Sequence, residues 1–238
     1  WEFDWNPIDI YEYNDIVEFA DNFLTGVQAS WRATPKHEFT FQLLNSRTKT
    51  YEELYDTIPG VEESKFPAAL VTNWRGNFGN GKFTTLWSYS AFLEAKKKSM
   101  HYIALGNQLN LGKTTIIYDF KWSDEDIDRK TIVTSIVPDS YDPYAALDVR
   151  YVEHWLQLQY RFAPKWNAAI IGMVSNAYWY GNPDPDKDNL LRTSWGVIPT
   201  IEFYPYKNLN LRFFATHVAR MYNFSDYAKS TFGSVDYT

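Results

Sequence analysis

Along most of this chain apolar and polar side chains alternate one by one. Phe23, Thr25, Val27, Ala29 and Trp31 stand against Leu24, Gly26, Gln28, Ser30 and Arg32, and Phe39, Phe41 and Leu43 against Glu38, Thr40 and Gln42. The same period runs through Leu70, Thr72, Trp74 and Phe78, and back through Phe83, Thr85, Trp87, Tyr89, Ala91 and Leu93. It continues in Ile103, Leu105, Leu109 and Leu111 with Ile116, Tyr118, Phe120 and Trp122, and in Leu156, Leu158, Tyr160 and Phe162. Trp195, Val197, Ile201 and Phe203 are followed by Leu211, Phe213 and Ala215. Period two puts successive side chains on opposite faces of a strand, so each segment predicts a strand with unlike faces. Asn167 to Tyr180 is apolar on both faces, so its pattern assigns it no outward side.

Short turn segments separate the members of each pair: Thr34-Pro35-Lys36-His37, Gly79-Asn80-Gly81-Lys82, Gly112-Lys113, Ala163-Pro164-Lys165-Trp166 and Pro205-Tyr206-Lys207-Asn208. Gly, Pro and Asn supply the backbone angles of tight turns. The connections at the other strand ends, Ser46–Phe66, Ser123–Ala145 and Gly181–Asn189, are long, polar and acidic, and only the one around Lys96-Lys97-Lys98 is short. Short turns at one end and long loops at the other are the arrangement of an outer-membrane barrel. Its tilted spanning strands need about 9–11 residues, against about 5–6 in a usual soluble strand.

Ten strands are predicted, in an all-β, antiparallel, up-and-down transmembrane β-barrel forming one domain over residues 1–238. Trp1, Phe3 and Trp5 read as the end of an earlier strand and Phe232 to Thr238 as the start of a later one. An unpaired edge in lipid is prohibitive. The chain is therefore expected to be part of a larger barrel, with a closed ten-stranded barrel as the alternative. A soluble β-sandwich or propeller also alternates, but has shorter strands and no reason to carry Trp and Tyr at each strand end.

Composition sharpens this reading. Trp, Tyr and Phe make up 18% of the chain, fitting aromatic girdles at two water interfaces. Mean hydropathy is low, −0.43, as expected when half of every strand is polar. No apolar run is long enough for a transmembrane helix. Without Cys there is no disulfide framework, and a net charge of −6 gives nucleic-acid binding no support. The chain begins at Trp1 without a signal peptide, as expected of a secreted precursor that has lost one.

The polar face should line the interior. Arg32, Arg75, Arg161 and Arg212 each lie close to a tight turn, so strand geometry places them at similar depth near the periplasmic end. With Lys121 and Arg220 they are the candidate pore-lining, anion-binding residues. Arg offers a fixed cation and a planar fork, and a ring of such charges selects anions. Two other roles compete: pairing with interior carboxylates to brace the wall, and binding anionic headgroups. The carboxylates of Asp124-Glu125-Asp126 with Asp128, and of Asn182–Asp188, read as solvated acidic loops. Such loops can meet divalent ions at a lipopolysaccharide surface, but neither has the pattern of a dedicated Ca²⁺ loop, and no metal or cofactor is expected. His37, His101, His154 and His217 show no metal-ligand spacing, and no Gly-x-Ser-x-Gly elbow is present. No catalytic step is expected; a lipid-cleaving Ser–His pair using His154 or His217 is the enzymatic alternative.

Three stretches carry a resemblance: Phe23-Leu24-Thr25-Gly26-Val27 with Trp31-Arg32, Tyr160-Arg161-Phe162-Ala163-Pro164-Lys165-Trp166, and Asn208-Leu209-Asn210-Leu211-Arg212. They resemble the phosphate-selective porin O and P family of outer-membrane barrels. The resemblance implies a barrel of about sixteen strands, usually trimeric, with a constricted lumen and a basic anion path. The expected function is a porin passing small solutes or anions by diffusion, in contact with outer-membrane lipid and lipopolysaccharide. The alternative is a non-conducting accessory barrel in an assembly with other outer-membrane proteins.

Overall fold

The computed structural model describes residues 25–45, 61–129, 131–138, 146–184, 189–206 and 213–236. The strands run β1 (Gly26–Thr34), β2 (His37–Asn45), β3 (Glu63–Phe78), β4 (Phe83–Ala95), β5 (Met100–Leu111) and β6 (Thr114–Ile127). After helix α1 (Ile132–Ile136) come β7 (Leu147–Ala163), β8 (Trp166–Trp179), β9 (Leu190–Phe203), β10 (Phe213–Thr216) and β11 (Ala219–Phe224), then helix α2 (Asp226–Phe232). All strands lie in one antiparallel sheet in which each, as far as β10, pairs with the next in sequence. β10 and β11 both pair with β9 and are two halves of one strand. They part opposite Pro199, which accepts from the His217 amide (3.2 Å) but has no N–H to return. The predicted ten strands are therefore present, the last in two pieces.

Local chemistry sets the turns. Gly112 takes φ 70° where β5 and β6 meet at Leu111 and Thr114, a left-handed angle that suits a two-residue hairpin. Pro35-Lys36 and Pro164-Lys165 close the β1–β2 and β7–β8 hairpins, Pro fixing the first turn angle.

The register gives the sheet its slant. One row of paired residues runs Arg32, Glu38, Arg75, Leu86, Gly106, Asp119, Trp155, Met173, Gly196, Arg220. The strand ends 2 residues past this row on β1 (Thr34), 3 on β3 (Phe78), 5 on β5 (Leu111) and 8 on β7 (Ala163). From β1 to β7 the turn thus recedes by 8 − 2 = 6 residues over six strand steps. At about 3.3 Å per residue and about 4.8 Å per strand, that is a tilt of about 35°, at the edge of the range of transmembrane barrels.

Outward faces carry the aromatics. Near the turns Trp31 stacks on Phe39 (5.7 Å) and Phe78 on Phe83 (6.0 Å), and Phe162, Trp166, Phe203 and Phe213 form a continuous file. At the loop end Tyr178 stacks on Tyr180 (6.2 Å), and the Arg150 guanidinium covers Tyr180 and Trp122 (4.7 and 5.7 Å). On β7 the step from Val152, the partner of Trp122, to Phe162 is ten residues. At this tilt it spans about 27 Å, close to the roughly 25 Å apolar band of such barrels.

Two expectations need correction, and one open point is resolved. Strand β6 continues to Ile127 and β3 starts at Glu63, so the loops expected at Ser123–Ala145 and Ser46–Phe66 are shorter. Phe232 closes helix α2 instead of starting a strand: Ser225 caps the helix by accepting from the Ala228 amide (3.1 Å), and Gly233 ends it at φ 70°. The ambivalent β8 has a definite orientation. Pairing of Leu158 with Ile170 and Gln157 with Ile171 puts Ile170 and Val174 outward and Ile171 and Met173 inward. The predicted strand around Trp1 lies outside the described residues.

Candidate functional site: the lumenal wall

The inner face is defined by the parity of Gln157, Gln159 and Arg161 on β7 and followed across the sheet by register. Near the periplasmic turns Arg32, Glu38 and Arg75 stand side by side on it. Arg32 donates to Glu38 from Nη2 (3.0 Å) and Nε (3.3 Å). Arg75 is exposed on the other side of Glu38. Arg32 thus pairs with Glu38, with Arg75 next to them in register, and an ion pair not withdrawn from water contributes only ~0–1 kcal/mol. Arg161 is also exposed. It lies 6 residues past Trp155, the row partner of Arg32, but the stagger moves its turn by the same amount, so both stand just above their turns. Arg220 faces inward beside Gly196. Arg212 lies outside the described residues.

Lys121 differs from the arginines. It has inward parity but is only 5% exposed, and register sets it beside Glu153, which is 1% exposed. Opposite charges buried side by side brace the wall and are poorly placed to meet a solute.

The loop-end half of this face holds Glu94 and Glu153, which the sequence reading left out, and Glu125 and Asp128, which it placed in a solvated loop. Glu94, Glu125, Asp128 and Glu153 are all almost fully buried. Arg129 donates from Nε to Glu94 (3.0 Å) and from its amide to Glu125 (2.8 Å), and its guanidinium sits 4.2 Å over Phe92. Asp128 accepts from the Tyr151 hydroxyl (2.6 Å) and from the Thr134 amide (2.8 Å) and hydroxyl (2.7 Å). Burial raises its carboxyl above the usual range, against the pull of those hydrogen bonds. The acidic cluster expected to be solvated is therefore divided: Glu125 and Asp128 are interior, whereas Asp126 accepts from the Ser99 amide (2.7 Å) and Asp124 bonds Arg150 (3.1 Å) at the outer girdle. A second inward patch is apolar, with Ile171, Met173 and Ile198 packed against Trp155 and Val218. The inward side of Glu153 and Glu125, though not their burial, was accessible by carrying the alternation two residues at a time from Gln157 to Trp155, Glu153 and Tyr151, and from Asp119 to Ser123 and Glu125.

His37, His101 and His154 face outward beside aromatics. The Trp74 indole donates to His37 (3.2 Å), while Tyr89 and Tyr118 hydroxyls bond His101 (2.8 Å) and His154 (2.9 Å). His154 thus has a Tyr as hydrogen-bond partner. Among the described residues no group of His, Asp and Glu is arranged to hold a metal.

The sequence matches the model of the family named phosphate-selective porin O and P over residues 2–236. No curated protein matches it. The outer membrane channel DcaP of Acinetobacter baumannii shares its fold, with a TM-score of 0.60 at 10% identity, covering 90% of this chain and 59% of that one. A porin structure gives a TM-score of 0.52 at 13% identity, covering 84% and 56%. The chain thus spans less than two thirds of either protein. Matched across nearly its whole length, and built as a tilted wall with an aromatic outside and a charged inside, the chain belongs to the phosphate-selective porin O and P family of outer-membrane β-barrels.

Proposed function

We propose that the protein is a porin, a water-filled channel through which small solutes diffuse passively across the outer membrane. The supporting observation is the Arg32–Glu38–Arg75 row with the exposed Arg161, on the face opposite the aromatic girdles. Charges so placed are tolerated next to water and prohibitive next to lipid. Cations outnumber carboxylates in that row, so the channel prefers anions modestly. The carboxylate between them makes it a selective passage and not a tight phosphate trap. Replacing Arg32, Arg75, Arg161, Arg212 and Arg220 with Gln should move the reversal potential in a salt gradient toward cation selectivity. An unchanged potential rejects their role in the pore.

A second reading, a non-conducting accessory barrel, is favoured by one observation: the inner face at the loop end is covered, with Tyr151, Glu153 and Glu125 at 1% exposure or less. Such a barrel would insert without conducting and would co-purify with other outer-membrane proteins. We also propose a single barrel domain that assembles as a homotrimer in contact with lipid and lipopolysaccharide, as the family implies. Mass measurement of the detergent-extracted oligomer tests the trimer.

A further inference from the structure

On the outer surface of the wall, one cation stands where the barrel meets lipid headgroups. Arg150 has the outward parity of Val152 and His154 and pairs in register with Asp124 and Tyr178. Its guanidinium lies 5.7 Å over Trp122 and 4.7 Å over Tyr180, two aromatics of the loop-end girdle. Nε (3.2 Å) and Nη2 (3.1 Å) both donate to one oxygen of Asp124. Two rings and a carboxylate thus fix the planar fork in one orientation. None of the described residues accepts from Nη1. The donors that Asp124 does not use stand at the height where the girdle ends the apolar band.

The neighbouring connection adds two more cations. It is the short one of the loop end, with β4 ending at Ala95 and β5 starting at Met100. The Lys98 amide donates to the Ala95 carbonyl (3.3 Å), closing a turn in which Lys97 takes φ 59°. That angle suits Gly or Asn, and a Lys there costs backbone strain that the turn itself does not require. Lys96 is taken up by Glu62, whereas Lys97 is exposed, and neither Lys97 nor Lys98 has an ion-pair partner among the described residues. The turn stands close to the fork: the Ser99 amide donates to Asp126 (2.7 Å), on the same strand as Asp124 and two residues beyond it. So short a connection keeps the rim of the barrel low, with room beside it for a bulky headgroup.

We propose that Arg150, with Lys97 and Lys98, binds the phosphates of a lipopolysaccharide molecule of the outer leaflet against the outer surface of β5, β6 and β7. A headgroup with two phosphates on a sugar fits this arrangement, one phosphate on the fixed fork and the other on the flexible lysines. A phospholipid, with a single phosphate, engages only one part of it. Asp124 is a positioning residue that holds two nitrogens of the fork and leaves Nη1 for the phosphate. The inference rests on the proposed contact with lipopolysaccharide and not on conduction.

The test measures the affinity of the full-length protein, in detergent micelles, for bis-phosphorylated lipid A, for its dephosphorylated form and for phosphatidylglycerol. The parent should bind bis-phosphorylated lipid A at least about tenfold more tightly than either of the others. Arg150→Gln, and separately Lys97→Gln with Lys98→Gln, should each weaken that binding about fivefold or more, and Lys165→Gln at the opposite end of the barrel should not. Heat-modifiable gel mobility confirms that each variant is a folded barrel. EDTA should leave the binding intact, because Arg and Lys meet phosphate directly; loss in EDTA would mean a divalent ion bridging to Asp124 and Asp126 and overturns the assignment. Equal affinity for phosphatidylglycerol, or an equal loss with Lys165→Gln, overturns it in favour of general attraction to anionic lipid. Variants that bind lipid A as the parent does overturn the site and leave the proposed contact standing; a parent that binds no lipid A overturns both.

Discussion

Glu38 is the residue on which the charge of the inner face turns. It lies between Arg32 and Arg75 in one row and neutralises part of their field. Glu38→Gln removes one negative charge without changing shape, so the anion preference should increase, opposite in sign to the arginine substitutions. A reversal-potential measurement of the single variant checks this, and a shift toward cations would show that Glu38 does not face the conduction path. A second carboxylate makes a pH prediction. The Lys229 side chain bonds Asp236 (2.6 Å), and the Phe224 amide donates to it (2.6 Å). Lys229 first, and that amide second, hold the Asp236 carboxyl below its usual value of 3.8. A depressed folded pKa means that the contribution is present above the ordinary pKa and is lost as pH falls through the lower folded value. The segment after α2 should therefore loosen only below about pH 4, read as faster exchange of the Phe224 amide.

At the scale of elements, the last strand is broken by its neighbour and not by its own sequence. Pro199 leaves His217 without a reciprocal donor, and β10 and β11 separate there. Pro199→Val supplies the missing N–H, and exchange at residues 217–219 should slow; no change would mean that the break has another cause. Helix α2 depends on its cap: Ser225→Ala removes the bond to Ala228 and should cost about 1 kcal/mol locally, seen as faster exchange across Asp226–Phe232. These elements also show what was legible in advance. Strands with unlike faces were readable because lipid on one side and water on the other force strict alternation. β8 was not readable, because its inward Ile171 and Met173 pack on Ile198 and Trp155 and so look no different from its outward side. α2 carried its own start and stop signals in Ser225 and Gly233, but the Phe, Val and Tyr that follow mimic a strand. Asp124 to Asp128 looked like a solvated loop because no local rule reveals that Arg129, Thr134 and Tyr151 wait to receive buried carboxylates.

At the scale of the molecule, the shift of one residue per strand, the two aromatic levels and the inward charges are three consequences of one requirement. A sheet crossing lipid must tilt to close, anchor at both interfaces and keep its charges on the wet side. Arg32, Arg75 and Arg161 occupy the half near the turns, whereas near the loops part of the inner face is covered by α1 and α2. On the proposed porin reading, the channel carries its exposed arginines at the turn end and a covered inner wall at the loop end. The direct test is single-channel conductance of the full-length protein in a planar bilayer under a potassium chloride gradient. The account predicts steady conductance with a reversal potential of the sign set by chloride. Silence from protein that is verifiably folded and inserted would contradict it and transfer the case to the accessory barrel.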